Sequence, residues 1–381
     1  MPTAIQNLIV LGDSLSDIGI KREAPSGMFA RAAGMMRTNE VGRYSDGKNW
    51  ADFLVEWMGG ESLIREDRKR TEEATAPHRT LSDSSVVLGT HTGNLAPVRY
   101  ANYAEGGAIA ASDWKPKAGA LGYLKDQVAE YIKARRALMA PTKAVMAGTA
   151  QDQFTGPTLH IIWIGLNDLI TAERPVPDNL SGRVDKPGTG VGPLIEEIYQ
   201  LVNSIPNSFP TNPGNEHFIL IDLPSPLVSV RFQDKAADKG DAAVEKAVKN
   251  VAKFNDALGY LATHWPPPGP GPHDGPGATP GNISLVRMSD WMQVVADGAT
   301  TFQLTPLAQE HGPVPYLGMR DDTPAALRRA LTTSDLAHPT QAVYELIARQ
   351  ITDVLVANYT LGKLNRQSWP ERRPFPTVPG I

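Results

Sequence analysis

A chain of 381 residues accommodates one large α/β domain with insertions, or two smaller domains. Its net charge of -4 and pI of about 6.1 leave no basic footprint for nucleic acid, and no apolar run approaches the roughly 20 residues of a membrane span. The absence of cysteine excludes disulfides, thiolate catalysis and cysteine-ligated metals, while 41% hydrophobic and 20% charged residues are an ordinary globular mix.

The first strand is predicted over residues 5–11, apolar enough to be buried on both faces of a parallel sheet. It begins almost at Met1, so no signal peptide is expected, and the compartment is left open. Residues 49–58 have helical spacing and stop at Gly59-Gly60. Residues 61–97 are polar, charged and weakly periodic, which reads as an insertion or mobile loop. A short strand at 98–103 leads into Ala104-Glu105-Gly106-Gly107, and an amphipathic helix at 120–139 is closed by Pro141. The third strand, 158–164, runs into Gly165-Leu166-Asn167-Asp168. A Pro- and Gly-rich loop precedes a helix over about 191–205, then a fourth strand over 216–223 and a long helix over 236–264. Residues 266–281, dominated by Pro and Gly, are expected to form no regular structure, and the fifth strand is predicted at 283–288. A second insertion is expected near 289–334. The last helix, 339–358, starts at Pro339, where proline is tolerated. Residues 1–358 thus read as a single domain, and the Pro-rich tail, 359–381, is expected to lie along its surface.

Strands that alternate with helices indicate a parallel sheet covered by helices on both faces. In such folds ligands sit beyond the carboxyl ends of the strands. Ser14 follows the first strand, Gly107 the second and Asn167 the third, while His338 precedes the last helix. Residues far apart in sequence are thereby expected to meet at one edge of the sheet.

Those residue types carry a recognisable chemistry. A serine hydroxyl becomes an effective nucleophile when a histidine takes its proton. The histidine in turn needs an acceptor on its other ring nitrogen, and Asp335-Leu336-Ala337-His338 supplies one. The blocks Gly12-Asp13-Ser14-Leu15, Asn102-Tyr103-Ala104-Glu105-Gly106-Gly107-Ala108, Gly165-Leu166-Asn167-Asp168 and Asp335-Leu336-Ala337-His338-Pro339-Thr340 stand in the order found in the GDSL-type lipase/esterases of the SGNH hydrolase superfamily, which the chain resembles. Softer matches lie at Gly42–Trp50 and Asp222–Pro226. The subgroup it resembles holds hemolysin-like phospholipases, acyltransferases and short-chain esterases.

The resemblance implies a three-layer α/β/α, flavodoxin-like fold with a central five-stranded parallel sheet. It implies Ser14 as nucleophile, His338 as general base and then acid, and Asp335 as the orienting carboxylate. The oxyanion hole would be the Ser14 and Gly107 N–H groups and the Asn167 side-chain amide. Ser14 is expected to begin the first helix, whose free N–H groups favour negative charge. Related chains often continue Asp-Thr-Gly-Asn after the nucleophile, whereas Asp17-Ile18-Gly19-Ile20 stands here.

Each motif also has a plain structural reading. A serine after a strand is commonly a helix N-cap, Asp335 and His338 alone make an ordinary surface pair, and Asn167-Asp168 alone are turn residues. The ordered combination outweighs these. Asp13 reads as a structural carboxylate that holds backbone N–H groups, and His160 as a core or face histidine. Met28, Phe29, Met35 and Met36 read either as helix packing or as an acyl-chain wall or lid, since methionine adapts to varied apolar ligands. No phosphate-loop or metal-ligand spacing occurs, so no cofactor or metal is implied. The expected partner is a small-molecule or lipid ester, with transient contact to membrane lipid allowed. Acyl transfer and carbohydrate O-acetyl ester hydrolysis use the same triad and stay open, and the intact triad opposes a purely binding role.

Overall fold

Leu8–Leu11 and Leu159–Trp163 present neighbouring side chains to opposite faces of a sheet, and every one of these residues is buried. Both segments must therefore lie inside a sheet covered on both sides, and they form its centre. The computed structural model describes residues 1–24, 27, 38–39, 42–45, 47–60, 86–88, 98–111, 122–139, 156–171, 192–209, 215–228, 240–263, 282–297 and 338–366.

In chain order the strands are β1 (Thr3–Ala4), β2 (Asn7–Gly12), β3 (Val86–Leu88), β4 (Val98–Asn102), β5 (Thr158–Trp163), β6 (Glu216–Ile221), β7 (Ile283–Val286) and β8 (Tyr359–Thr360). The main sheet has the order β3-β4-β2-β5-β6-β7. Its five strands from β4 to β7 are parallel, in the doubly wound order 2-1-3-4-5 by position in the chain. The order reverses between β2 and β5, whose last pairing is Gly12 with Trp163. That reversal leaves a crevice at the carboxyl ends of these two strands, directly before Ser14 and Asn167.

The helices are α1 (Ile20–Glu23), α2 (Trp50–Trp57), α3 (Leu124–Met139), α4 (Gly192–Ser208), α5 (Asp241–Thr263), α6 (Met288–Asp297) and α7 (Gln341–Asn358). Helices α2, α6 and α7 pack as one layer, and α3, α4 and α5 as the other. Local chemistry explains the starts that position the site. Asn49 accepts the Ala51 and Asp52 N–H groups while Asp52 accepts the Asn49 N–H, a reciprocal capping box for α2. Thr340, not Pro339, caps α7, so the proline stands just before the cap. No helix among the described residues is long and apolar enough to cross a membrane.

Short elements not expected from the sequence include β3, α6 and the β1–β8 pair. Within 61–97, β3 pairs antiparallel with β4 as an edge strand, and the rest of that segment lies outside the described residues. Helix α6 begins where Asp222 accepts both the N–H and the hydroxyl of Ser289, at 2.7 and 2.8 Å. The tail does not start on the surface: β8 pairs parallel with β1, and Leu361 and Leu364 are buried. Residues 367–381 lie outside the described residues, as do 264–281.

His160 is a core histidine, fully buried in the middle of β5. Its Nδ1 faces the His217 carbonyl at 3.1 Å and so donates, which leaves Nε2 to accept the Tyr131 hydroxyl at 3.1 Å. Arg135 donates to Tyr131 and to Glu216, at 2.8 and 2.7 Å. Burial, reinforced by the Arg135 charge, pushes the His160 pKa down to about 3. The unfolded chain binds the proton near 6.5, so this group stabilises the fold above that pH and loses its contribution as pH falls toward 3. His160→Gln can keep both hydrogen bonds and cannot titrate. Across pH 5.5 to 4.5 the wild type should therefore lose about 1.3 kcal/mol per pH unit more than this variant, read from urea midpoints. Buried carboxylates with raised pKa work in the opposite sense, so the difference between the two proteins is the quantity to compare. Parallel pH profiles would contradict a buried neutral His160.

Candidate active site

Strand β2 ends at Gly12, where a β-carbon would overlap the Trp163 carbonyl of the neighbouring strand. Gln127 brackets this glycine from α3, its side-chain oxygen accepting the Gly12 N–H at 2.9 Å and its amide donating to the Gly12 carbonyl at 2.8 Å. The chain then turns sharply, closed by the Ser16 N–H on the Asp13 carbonyl at 3.0 Å. Ser14 sits in this turn and does not begin a helix, because α1 starts only at Ile20. The Asp13 carboxylate accepts the Leu15 N–H at 3.0 Å, a local bond that favours a turn over a helix start. Asp13 thus holds backbone, in line with its structural reading.

His338 arrives from the other end of the chain, on the residues leading into α7. Its Nε2 lies 2.8 Å from the Ser14 Oγ. With Nε2 unprotonated, the hydroxyl donates to it, the geometry needed for a base to take the serine proton. Asp335 lies outside the described residues, as do Met28, Phe29, Met35 and Met36.

The loop Ala104–Ala111 lies between the Ser14 turn and the end of β5, and both neighbours clamp it. The Gly106 N–H donates to the Asp17 carboxylate at 2.7 Å. The Asn167 amide donates to the Ala108 carbonyl at 3.1 Å, and the Asp168 carboxylate accepts the Ala110 and Ala111 N–H groups at 2.9 and 3.1 Å. Gly107 has φ 78°, the left-handed conformation that glycine adopts without steric cost. Asn167 opens a π-helical turn, Asn167–Thr171, and Thr171 donates to its side-chain oxygen at 3.2 Å. That bond orients the amide nitrogen toward the loop. One of its two N–H groups is used by Ala108, and the amide has a second to give.

Two carboxyls beneath the site are perturbed. Burial pushes Asp13 up to about 7, and the like charges of Asp168 and Asp17 add to this, against the Leu15 N–H and the charge of His338. Burial also raises Asp17 to about 6, although four N–H groups, from Gly19, Gly106, Lys21 and Ile20, favour its charged form. The Asp17 carboxylate also organises the start of α1, accepting the Gly19, Ile20 and Lys21 N–H groups at 2.7, 2.7 and 3.2 Å. Among the described residues no three His, Asp or Glu side chains are grouped to hold a metal.

Two residues of the site were not singled out from the sequence. Asp17 ties the nucleophile turn to the glycine loop. Tyr44 places its ring against the His338 imidazole, with centroids 4.7 Å apart. The only sequence signal for Tyr44 was its place in the Gly42–Trp50 block.

No curated protein matches the chain. A crystal structure of a candidate GDSL-like lipase from Parabacteroides merdae shares 10% identity, covering 93% of this chain and 96% of its own, with a TM-score of 0.40. A family model for GDSL-like lipase/acylhydrolases matches residues 8–351, from the strand beneath Ser14 to the helix that follows His338, and the chain therefore belongs to that family of ester-acting hydrolases.

Proposed function

We propose that the protein cleaves carboxylic esters through an acyl-enzyme on Ser14. The observation that carries this reading is the 2.8 Å contact between the Ser14 hydroxyl and the His338 Nε2. His338 removes the serine proton as Oγ attacks the ester carbonyl, and the same proton then goes to the departing alcohol. Asp335 orients the imidazole and favours its charged form. Water, activated by His338, attacks the acyl-serine and releases the acid. The Ser14 N–H, the Gly107 N–H and the Asn167 amide stabilise the oxyanion. Gly107 rather than Gly106 suits this role, because the Gly106 N–H is committed to Asp17. Donors aimed at a developing oxyanion are worth about 100-fold or more each. The scheme needs no cofactor. A place among the hemolysin-like phospholipases and short-chain esterases, the subgroup that the chain resembles, belongs to the same proposal, as does Met28–Met36 as an acyl wall.

The test is hydrolysis of p-nitrophenyl acetate, butyrate, octanoate and palmitate at equal enzyme concentration. Turnover that falls steeply beyond butyrate is the expected result for a short-chain esterase. A rise toward palmitate would move the proposal to long-chain lipids. No turnover on any of them would overturn hydrolysis of simple esters and favour acyl transfer.

A further inference from the structure

Tyr44 occupies the corner between the base and the glycine loop. Its ring centroid is 4.7 Å from that of His338, with the planes inclined at 41°. The other end of the ring lies on Gly106, so closely that a β-carbon there would overlap the phenol. The residue is half-buried. The neighbouring Arg43 makes this placement rigid. Its guanidinium is buried, donates twice to Asp52 at 3.1 and 2.7 Å, and donates again to the Ile18 carbonyl at 2.6 Å. Ile18 closely follows the nucleophile turn, so the loop that carries Tyr44 is tied to the Ser14 turn. Tyr344 of α7 adds a bond from its hydroxyl to the Tyr44 carbonyl at 3.3 Å.

The reaction determines what passes this corner. The imidazole proton must reach the leaving oxygen, so that oxygen lies within hydrogen-bond reach of the His338 Nε2. The carbons of the alcohol then emerge beside the imidazole, while the acyl chain leaves the same tetrahedral centre in a different direction. We propose that Tyr44 is a specificity-determining residue for the alcohol half of the ester, a flat apolar wall that favours aromatic or bulky apolar alcohols. This rests on the serine hydrolase reading above.

The experiment crosses two substrate series. One holds the acyl group as acetate and varies the alcohol through methyl, butyl, phenyl and 2-naphthyl. The other holds p-nitrophenol and varies the acyl chain from acetate to octanoate. Each is run on the wild type, Tyr44→Phe, Tyr44→Leu and Tyr44→Ala, and comparing proteins cancels the intrinsic reactivity of each ester. Tyr44→Ala and Tyr44→Leu should each lower the naphthyl-to-methyl ratio of kcat/KM about tenfold or more, with the acyl-length ratio changed by less than about threefold. Tyr44→Phe should keep the wild-type ratios. A uniform fall on every ester, or an acyl ratio that shifts as much as the alcohol ratio, overturns the inference and reduces Tyr44 to a support for His338. A fluorophosphonate reports separately on the underlying reading. If it labels Ser14 and the alcohol ratio stays constant, the Tyr44 inference alone fails; if Ser14 is unreactive and turnover absent, both fail.

Discussion

Replacing Ser14 by alanine should lower ester turnover by on the order of 10⁵- to 10⁶-fold while the protein still unfolds cooperatively. The loss is large because the variant has no oxygen to form the acyl-enzyme, and any remaining rate comes from the oxyanion donors alone. The fold should tolerate it. Ser14 contributes a hydroxyl to His338, and the turn that holds it is closed by the Asp13 carbonyl and carboxylate, which stay. A stability change of about 1 kcal/mol, the net worth of one hydrogen bond, is the expected cost. Two measurements check this: p-nitrophenyl ester turnover beside a urea titration, and mass spectrometry after a fluorophosphonate. The wild type should carry one adduct, on the peptide that contains Ser14. An adduct on a different serine, with Ser14→Ala still active, would sink the assignment.

Removing the base should be about as severe. His338→Ala leaves the Ser14 hydroxyl without a proton acceptor and the departing alcohol without a donor. Groups that act as one unit lose their joint effect together, so the double variant with Ser14→Ala should be no worse than either alone. On the proposed mechanism, in which Asp335 only orients the base, Asp335→Asn should cost roughly 10- to 100-fold less than His338→Ala, since a backbone carbonyl can partly replace an orienting carboxylate. The check is kcat/KM for the three single variants and the double variant on one ester. An Asp335→Asn enzyme as inactive as Ser14→Ala would contradict the gradation. A double variant that is multiplicatively worse would show that Ser14 and His338 do not act together.

Much of the fold was legible because its main strands are apolar runs and its main helices are periodic. The five parallel strands and the helices at 50–57, 124–139, 192–208, 241–263 and 341–358 all carry such a signal. The expected end of the fourth helix at residue 205 was three residues short: Pro206 lies inside its last turns, where the helix continues to Ser208. The elements missed are short and held from a distance. Strand β3 has three residues and exists as a partner of β4. Strand β8 has two and pairs with the opposite end of the chain. Helix α6 is anchored by a carboxylate at the end of β6.

The sequence by itself determined the chemistry on offer: a serine, a histidine, an asparagine and paired glycines, each beside a strand end or a helix start. Residue type and local order suffice for that, because strand-ending glycines and turn residues are local requirements. The tertiary structure decided what those groups can do together. It reversed the sheet order between β2 and β5, which leaves the crevice, and it brought His338 to the Ser14 hydroxyl. It committed the Gly106 N–H to Asp17, and it set Tyr44 against the base. These are contacts between segments remote in sequence, and each exists because the packed sheet and its two helical layers bring the segments together.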